Sequence, residues 1–191
     1  MIRAIITDFD GTLVNTFESN YTAYMLAFKR YYHEIGVELT REQYKKCFGL
    51  RFDAFMDTLD IKDVAMRNKI KKEKARVYPM CFNSLNTNDS LVNFIRNAKY
   101  SGVKTAIAST AQRNNLMNVL NHLALADLFD LIIAGDAVKE GKPNPEIYLT
   151  SMSRLMVSPQ ETLIFEDSEV GLQAAERSGA NVIKITDYYF K

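Results

Sequence analysis

The chain has 191 residues, 24 Lys+Arg against 23 Asp+Glu for a formal net charge of +1, and 47% hydrophobic residues. Those proportions are ordinary for a globular fold, and the length lets one domain, or one domain carrying an insert, bury about 70% of its unfolded surface. Near-neutral charge gives no electrostatic reason for nucleic acid or an anionic membrane as partner, and no apolar run approaches the ~18 residues that span a bilayer.

The two cysteines, Cys47 and Cys81, make neither a disulfide framework nor a zinc spacing, and suit a reducing cytoplasm as small apolar filler. The N-terminus reaches Asp8 and Asp10 too soon to be a signal peptide, so the expected localisation is cytoplasmic. Ile2, Ile5 and Ile6 form a short apolar run ending in Asp8-Phe9-Asp10-Gly11, a buried strand closed by a turn. Asn15 with Glu18 is a capping pair for a helix that carries Tyr21, Tyr24, Met25, Phe28 and Tyr32 and stops near Gly36. Thr40 and Gln43 make a second capping box, Gly49 interrupts the helix that follows, and Phe52, Phe55, Met56 and Leu59 resume the helical period. Residues 62–78 are helical and basic, ending before Pro79, with Lys69, Lys71, Lys72, Lys74 and Arg76 read as a solvated face. No strand is expected from Thr16 to about Tyr78.

Beyond the polar stretch Asn83 to Asp89 the pattern changes. Leu91, Phe94, Ile95 and Ala98 mark a helix closed by Gly102, and Val103 to Ala108 is a strand. A helix through Leu116, Val119, Leu120 and Leu123 follows, then a strand at Leu131-Ile132-Ile133. Asn144-Pro145-Glu146 opens a helix with an N-cap and Pro at N1. Thr162 to Phe165 is a strand, residues 169–178 a helix stopped by Gly179, and Val182 to Ile185 a last strand. Such alternation predicts an α/β fold, a doubly wound parallel sheet with a small helical domain inserted after the first strand. The expected organisation is an α/β core of residues 1–15 and 84–191 with a helical insert at 16–83.

Ligands of open α/β sheets sit beyond the carboxyl ends of the strands. That rule selects four clusters: Asp8/Asp10, Ser109/Thr110, Lys142 and Glu166/Asp167. Two carboxylates two residues apart repel unless a hard cation joins them, and magnesium favours a few carboxylate oxygens plus water and phosphate. Taken singly, each residue has a plainer use: a turn aspartate, a helix-cap serine, a solvated turn lysine. Their joint occurrence at strand ends favours a site.

Asp8-Phe9-Asp10-Gly11-Thr12-Leu13 resembles the first motif of the haloacid dehalogenase superfamily of phosphotransferases. D-x-D-G-T arises by chance about once in 10⁵ positions at average residue usage. Ser109 resembles the second motif, Gly141-Lys142-Pro143-Asn144-Pro145-Glu146-Ile147-Tyr148 the third, and Phe165-Glu166-Asp167-Ser168-Glu169-Val170-Gly171 the fourth. Order and spacing match over residues 2–185, and the insert resembles the small cap of the branch containing β-phosphoglucomutase and phosphoglycolate phosphatase.

The resemblance implies an aspartyl-phosphate mechanism. Asp8 would be the nucleophile, and Asp10 the acid that protonates the leaving oxygen and then takes a proton from the hydrolytic water. Lys142 would steady the transferring group, with Ser109 and the Thr110 N–H as phosphate donors. Mg²⁺ would be held by Asp8, the Asp10 carbonyl and Asp167, with Glu166 binding directly, through water or in a structural role. Gly49-Leu50-Arg51 resembles the cap loop that reaches the site, where Arg51 would pair with a remote phosphate or carboxylate; an exposed helix-start arginine is the plainer reading. Hinges are expected near Val14 to Thr16 and Asn83 to Asp89, and Gly171 is expected to permit close packing.

Three departures stand out. Asn15 replaces an aspartate common in relatives, Ser109 is followed by an unusual Thr110-Ala111-Gln112, and relatives continue past the last strand where this chain has Tyr188-Tyr189-Phe190, expected to cover the sheet edge or bind a partner. The favoured activity is a phosphatase acting on a small phosphorylated metabolite, as a monomer. A phosphosugar mutase and a catalytically silent binding protein on the same fold are the alternatives.

Overall fold

The computed structural model describes residues 1–186. Chain order runs β1 (Ala4–Thr7), β2 (Val14–Asn15), α1 (Phe17–Arg30), α2 (Tyr32–Ile35), α3 (Arg41–Cys47), α4 (Phe52–Thr58) and α5 (Val64–Val77). Then follow β3 (Asn86–Thr87), α6 (Asp89–Tyr100), β4 (Lys104–Ala108), α7 (Arg113–His122), β5 (Leu131–Ile133), α8 (Glu146–Leu155), β6 (Thr162–Glu166), α9 (Glu169–Arg177) and β7 (Asn181–Lys184). Two compact units result: Met1–Asn15 with the residues from Asn86 onward, and Thr16–Leu85. No helix among the described residues is long and apolar enough to cross a membrane.

In the first unit a five-stranded sheet runs β5-β4-β1-β6-β7, every pairing parallel. Ile6 stands between Ala106 and Ile164 in register. On that face Ala4, Ala108 and Ile133 join them against Ile147, Tyr148, Met152 and Leu155 of α8 and Ala174 and Ala175 of α9. The alternate residues Ile5 and Ile107 are equally buried. A parallel strand between two helical layers has no solvent face, so its sequence is apolar throughout. Later strands go first to one side of β1 and then to the other, so the order reverses beside β1. At such a point the strand ends part into a crevice.

A two-residue antiparallel ladder, Val14↔Thr87 and Asn15↔Asn86, sits where the chain leaves and re-enters this unit. It overrides the capping pair expected at Asn15. The residue before α1 is Thr16, which makes no side-chain cap bond, and Glu18 instead pairs with Arg41. The Thr40–Gln43 box does form, with Gln43 N donating to Thr40 Oγ1 at 3.2 Å and Thr40 N to Gln43 Oε1 at 2.9 Å. Pro79 does not end the coil: a 3₁₀ stretch runs Tyr78–Ser84, with Pro79 in its first turn, where no N–H is required. At α8 the proline lies just outside the first helical residue, and Asn144 Oδ1 accepts from Glu146 N at 2.9 Å.

The second unit is helical. Tyr44 is ringed by Phe17, Tyr21, Tyr24, Phe48 and Phe55, with centroid separations from 5.3 to 6.0 Å. The basic run on α5 is less solvated than its charge implies. Lys69 bonds Glu34 at 2.5 Å, Arg76 bonds Glu73 at 2.7 Å, Lys71 lies over the Phe52 ring, and Lys74 is buried 3.4 Å above the Tyr78 ring centroid. The aromatic segment Tyr188-Tyr189-Phe190 falls outside the described residues.

Candidate active site

Asp8 follows β1 directly, and its N–H donates to Phe165 O at 2.9 Å, which extends the pairing with β6 by one step. The side chain is 6% exposed. Lys142 Nζ lies 2.6 Å from Asp8 Oδ1 and 2.6 Å from Glu166 Oε2, its side chain 3% exposed. Glu166 ends β6, and Asp167, next in sequence, accepts from Thr12 Oγ1 at 2.6 Å. One oxygen each from Asp8, Glu166 and Asp167 lies within 4.8 Å of the others. Ser109, buried at the end of β4, donates to Asp10 Oδ2 at 3.4 Å and accepts from Ala111 N at 3.1 Å. Of the six sequence-selected residues at this rim of the sheet, Asp8, Lys142, Glu166 and Asp167 thus form one cluster and Asp10 and Ser109 a second, linked pair. Thr110 follows Ser109 at that rim, against a glycine: a Cβ on Gly135 would stand 2.2 Å from Thr110 O. Arg51 belongs to the second unit, where it precedes α4 without capping it.

Two further glycines make room for the carboxylates. Gly11 has φ +93°, and a Cβ there would lie 2.3 Å from Asp167 Oδ2. A Cβ on Gly171, in the first turn of α9, would lie 2.1 Å from Glu166 Cδ. The close packing expected at Gly171 is therefore packing against a carboxylate.

Three acidic groups share one ammonium, and their ionisation reflects that shortage. Burial, then repulsion from Glu166, pushes the Asp8 carboxyl well above its ordinary range against the pull of Lys142. Burial likewise raises Asp167 to about 6, with the Thr12 hydrogen bond opposing. Glu166 goes the other way: burial works against its charge, but Lys142, Tyr148 and Ser168 together hold it below the usual value. Burial also opposes the charge on Lys142, yet Asp8 and Glu166 keep its ammonium firmly protonated. A hard divalent cation fits this donor set, because hard oxygen ligands with unbalanced negative charge are what it requires.

The site also uses residues that the sequence reading did not select. Tyr148, fully buried, donates its hydroxyl to Glu166 Oε2 and lays its ring 5.0 Å from Lys142 Nζ. Ser168 donates to Glu166 Oε1 at 2.9 Å. In the sequence Tyr148 and Ser168 fall inside the segments that resemble the third and fourth motifs, but nothing there gives either a role. Only their proximity to a charged strand end marked them.

A model of haloacid dehalogenase-like hydrolases matches residues 5–185. The chain belongs to that family. It is 31% identical over 184 residues to the phosphorylated carbohydrates phosphatase of Thermotoga maritima, covering 93% of this chain and 82% of the relative. It is 28% identical over 188 residues to the β-phosphoglucomutase of Bacillus subtilis, covering 93% and 80%. The crystal structure of CbbY from Rhodobacter sphaeroides in complex with phosphate superposes with a TM-score of 0.87 at 26% identity, over all of this chain and 89% of that one. The α/β fold with a parallel five-stranded sheet is the fold of these neighbours.

Proposed function

We propose that this hydrolase is a Mg²⁺-dependent phosphatase that cleaves a small phosphomonoester, a sugar phosphate or similar metabolite, through an aspartyl phosphate on Asp8. The observation that carries the reading is the buried Asp8–Lys142 contact of 2.6 Å inside an acidic cluster at the carboxyl end of β1. The name of the Thermotoga maritima relative and the phosphate in the CbbY structure support the substrate class.

An anionic nucleophile meets a dianionic phosphate badly unless positive charge stands between them. Lys142 provides one such charge, touching Asp8 and with a proton left for a phosphoryl oxygen. Asp8, Asp167 and the Asp10 carbonyl would hold the metal, with Glu166 in the same cluster, and the ion when bound supplies the rest of the charge. Asp8 Oδ attacks phosphorus as the bond to the leaving oxygen breaks, and Asp10 gives that oxygen its proton. Water then attacks the aspartyl phosphate, Asp10 takes its proton, the acyl–phosphate bond breaks and inorganic phosphate leaves. Ser109 Oγ and the Thr110 N–H orient the phosphate. Residues 16–83 act as the cap that excludes water and selects the substrate, with Arg51 reading its remote end. The reducing cytoplasm is the proposed compartment, and both described cysteines are free thiols.

Purified protein should hydrolyse an aryl phosphate with Mg²⁺, and Asp8→Asn should lower kcat by at least about 10³-fold, as loss of a nucleophile does. Equal turnover by the two would remove Asp8 from its role. Asp10→Asn should slow alkyl phosphates far more than esters with good leaving groups. The relationship to β-phosphoglucomutase favours a second reading, in which a sugar hydroxyl takes the place of water as acceptor. Release of inorganic phosphate from a sugar phosphate panel, against its isomerisation, separates the two.

A further inference from the structure

Glu166 accepts five hydrogen bonds. Oε1 takes Asp167 N at 3.3 Å, Ser168 N at 3.2 Å and Ser168 Oγ at 2.9 Å, while Oε2 takes Lys142 Nζ at 2.6 Å and the Tyr148 hydroxyl. A carboxylate has about four lone-pair directions, so this one is saturated although it lies inside the acidic cluster. The side-chain donors to Asp8 and Asp167 fall on Oδ1 in both cases, which leaves Oδ2 of each for another ligand.

We propose that Tyr148 is a positioning residue: with Ser168 and the first turn of α9 it fixes Glu166 as the counter-ion of Lys142, and Glu166 is not a metal ligand. The proposal rests on the reading of Asp8 and Lys142 given above. An ammonium carries three protons. Two are committed, one to Asp8 Oδ1 and one to Glu166 Oε2, so the third has a fixed direction and is available to the phosphoryl group. The Tyr148 ring, 5.0 Å from Nζ, closes another side of the ammonium with its π face. Without the Tyr148 hydroxyl the Glu166 carboxylate can turn about its terminal torsion, and Lys142 loses its second anchor. Gly171 belongs to the same device, since any side chain there would displace Glu166.

The test is Tyr148→Phe in the full chain, which keeps the volume of the core and removes one donor. Three quantities are read: kcat and KM for an aryl phosphate, the affinity for Mn²⁺ by calorimetry, and the ¹⁵N resonance of Lys142 Nζ. A lysine ammonium exchanges its protons slowly enough to be seen only when it is buried in fixed hydrogen bonds. Loss of a hydrogen bond to a charged group should lower kcat by about tenfold, with KM and Mn²⁺ affinity unchanged and the Lys142 resonance broadened. Mn²⁺ affinity that falls together with kcat would make Glu166 a ligand and overturn the proposal. Wild-type kcat with an unaltered resonance would overturn it equally. If Tyr148→Phe does not fold, Ser168→Ala removes a donor from the other oxygen and must give the same separation of kcat from Mn²⁺ affinity; no such separation overturns the proposal. Turnover by Asp8→Asn would instead defeat the nucleophile reading, and the resonance and the Mn²⁺ titration, which need no catalysis, would still decide what Glu166 serves.

Discussion

The second unit is held by rings packed on rings, and the first by a parallel sheet whose carboxyl rim carries buried charge. Around Tyr44 the contacts are tilted and edge-on, and the buried Lys74 ammonium nearby lies over the Tyr24 and Tyr78 rings. At the rim of the sheet, the side chains of Asp8, Glu166 and Lys142 are almost as inaccessible as the core, and each depends on a particular partner atom. Aromatic packing depends mainly on volume and shape, so many sequences satisfy it. A buried carboxylate fails if one donor is missing. The unit that carries the candidate site is therefore the one in which residue identity is most constrained.

The largest effect that would sharpen this contrast is expected inside the insert. Phe55 is 3% exposed and lies against Tyr24, Phe28 and Tyr44. Phe55→Ala should cost about 3–5 kcal/mol of the insert's stability, read as a lower urea midpoint by circular dichroism. A loss below about 1 kcal/mol would mean the rings are loosely packed and the contrast is empty.

Gly171→Ala tests the other region with the opposite expectation from propensity. Within a helix, alanine in place of glycine gains about 1 kcal/mol. Here the new Cβ would meet Glu166 Cδ at 2.1 Å and its oxygens at 2.2 and 2.4 Å, and five hydrogen bonds resist the move. A net destabilisation of about 1–3 kcal/mol is expected, with kcat lower by about tenfold or more as Lys142 loses its anchor. A more stable and fully active variant would show that Glu166 can rearrange freely.

The two regions also differ in what their sequences disclose. Asp8, Asp10, Ser109, Glu166 and Asp167 were legible because a parallel sheet sends its strand ends to one rim. Lys142, in the loop well beyond the end of β5, was legible through the resemblance of its segment to the family's third motif. Tyr148 and Ser168 were not, because their contribution is a hydroxyl direction, set by rotamer and register rather than by spacing. Asn15 misled for the reverse reason: a local capping signal lost to the ladder with Asn86. On α5 the lysines gave a charge pattern but no sign of Glu34, Phe52 or Tyr78 as partners, since those lie on other elements. The sheet itself was plain from apolar runs of strand length between helical periods, all five strands matching within a residue or two.

The smallest effect belongs to the opposite end of the sheet, where no chemistry is expected. Arg3 Nη1 bonds Glu161 Oε1 at 3.1 Å, tying the entry to β1 to the entry to β6. Glu161 also accepts from Ser158 N and Ser158 Oγ, both at 3.0 Å. The Ser158 backbone bond, then Arg3 and the Ser158 hydroxyl, lower its carboxyl from an ordinary 4.5 to about 2. A carboxyl depressed in the folded state contributes stability that is complete above its unfolded value and is lost as pH falls through the folded one. Wild type should therefore exceed Glu161→Gln in urea midpoint at neutral pH, and the gap should close between pH 4.5 and about 2. The group is solvent-accessible, so the gap should be small, and its Arg3 share should shrink further in high salt. A gap that persists below pH 2, or that widens with acid, would mean that the charge on Glu161 contributes nothing and that the Ser158 cap works equally well with a neutral side chain.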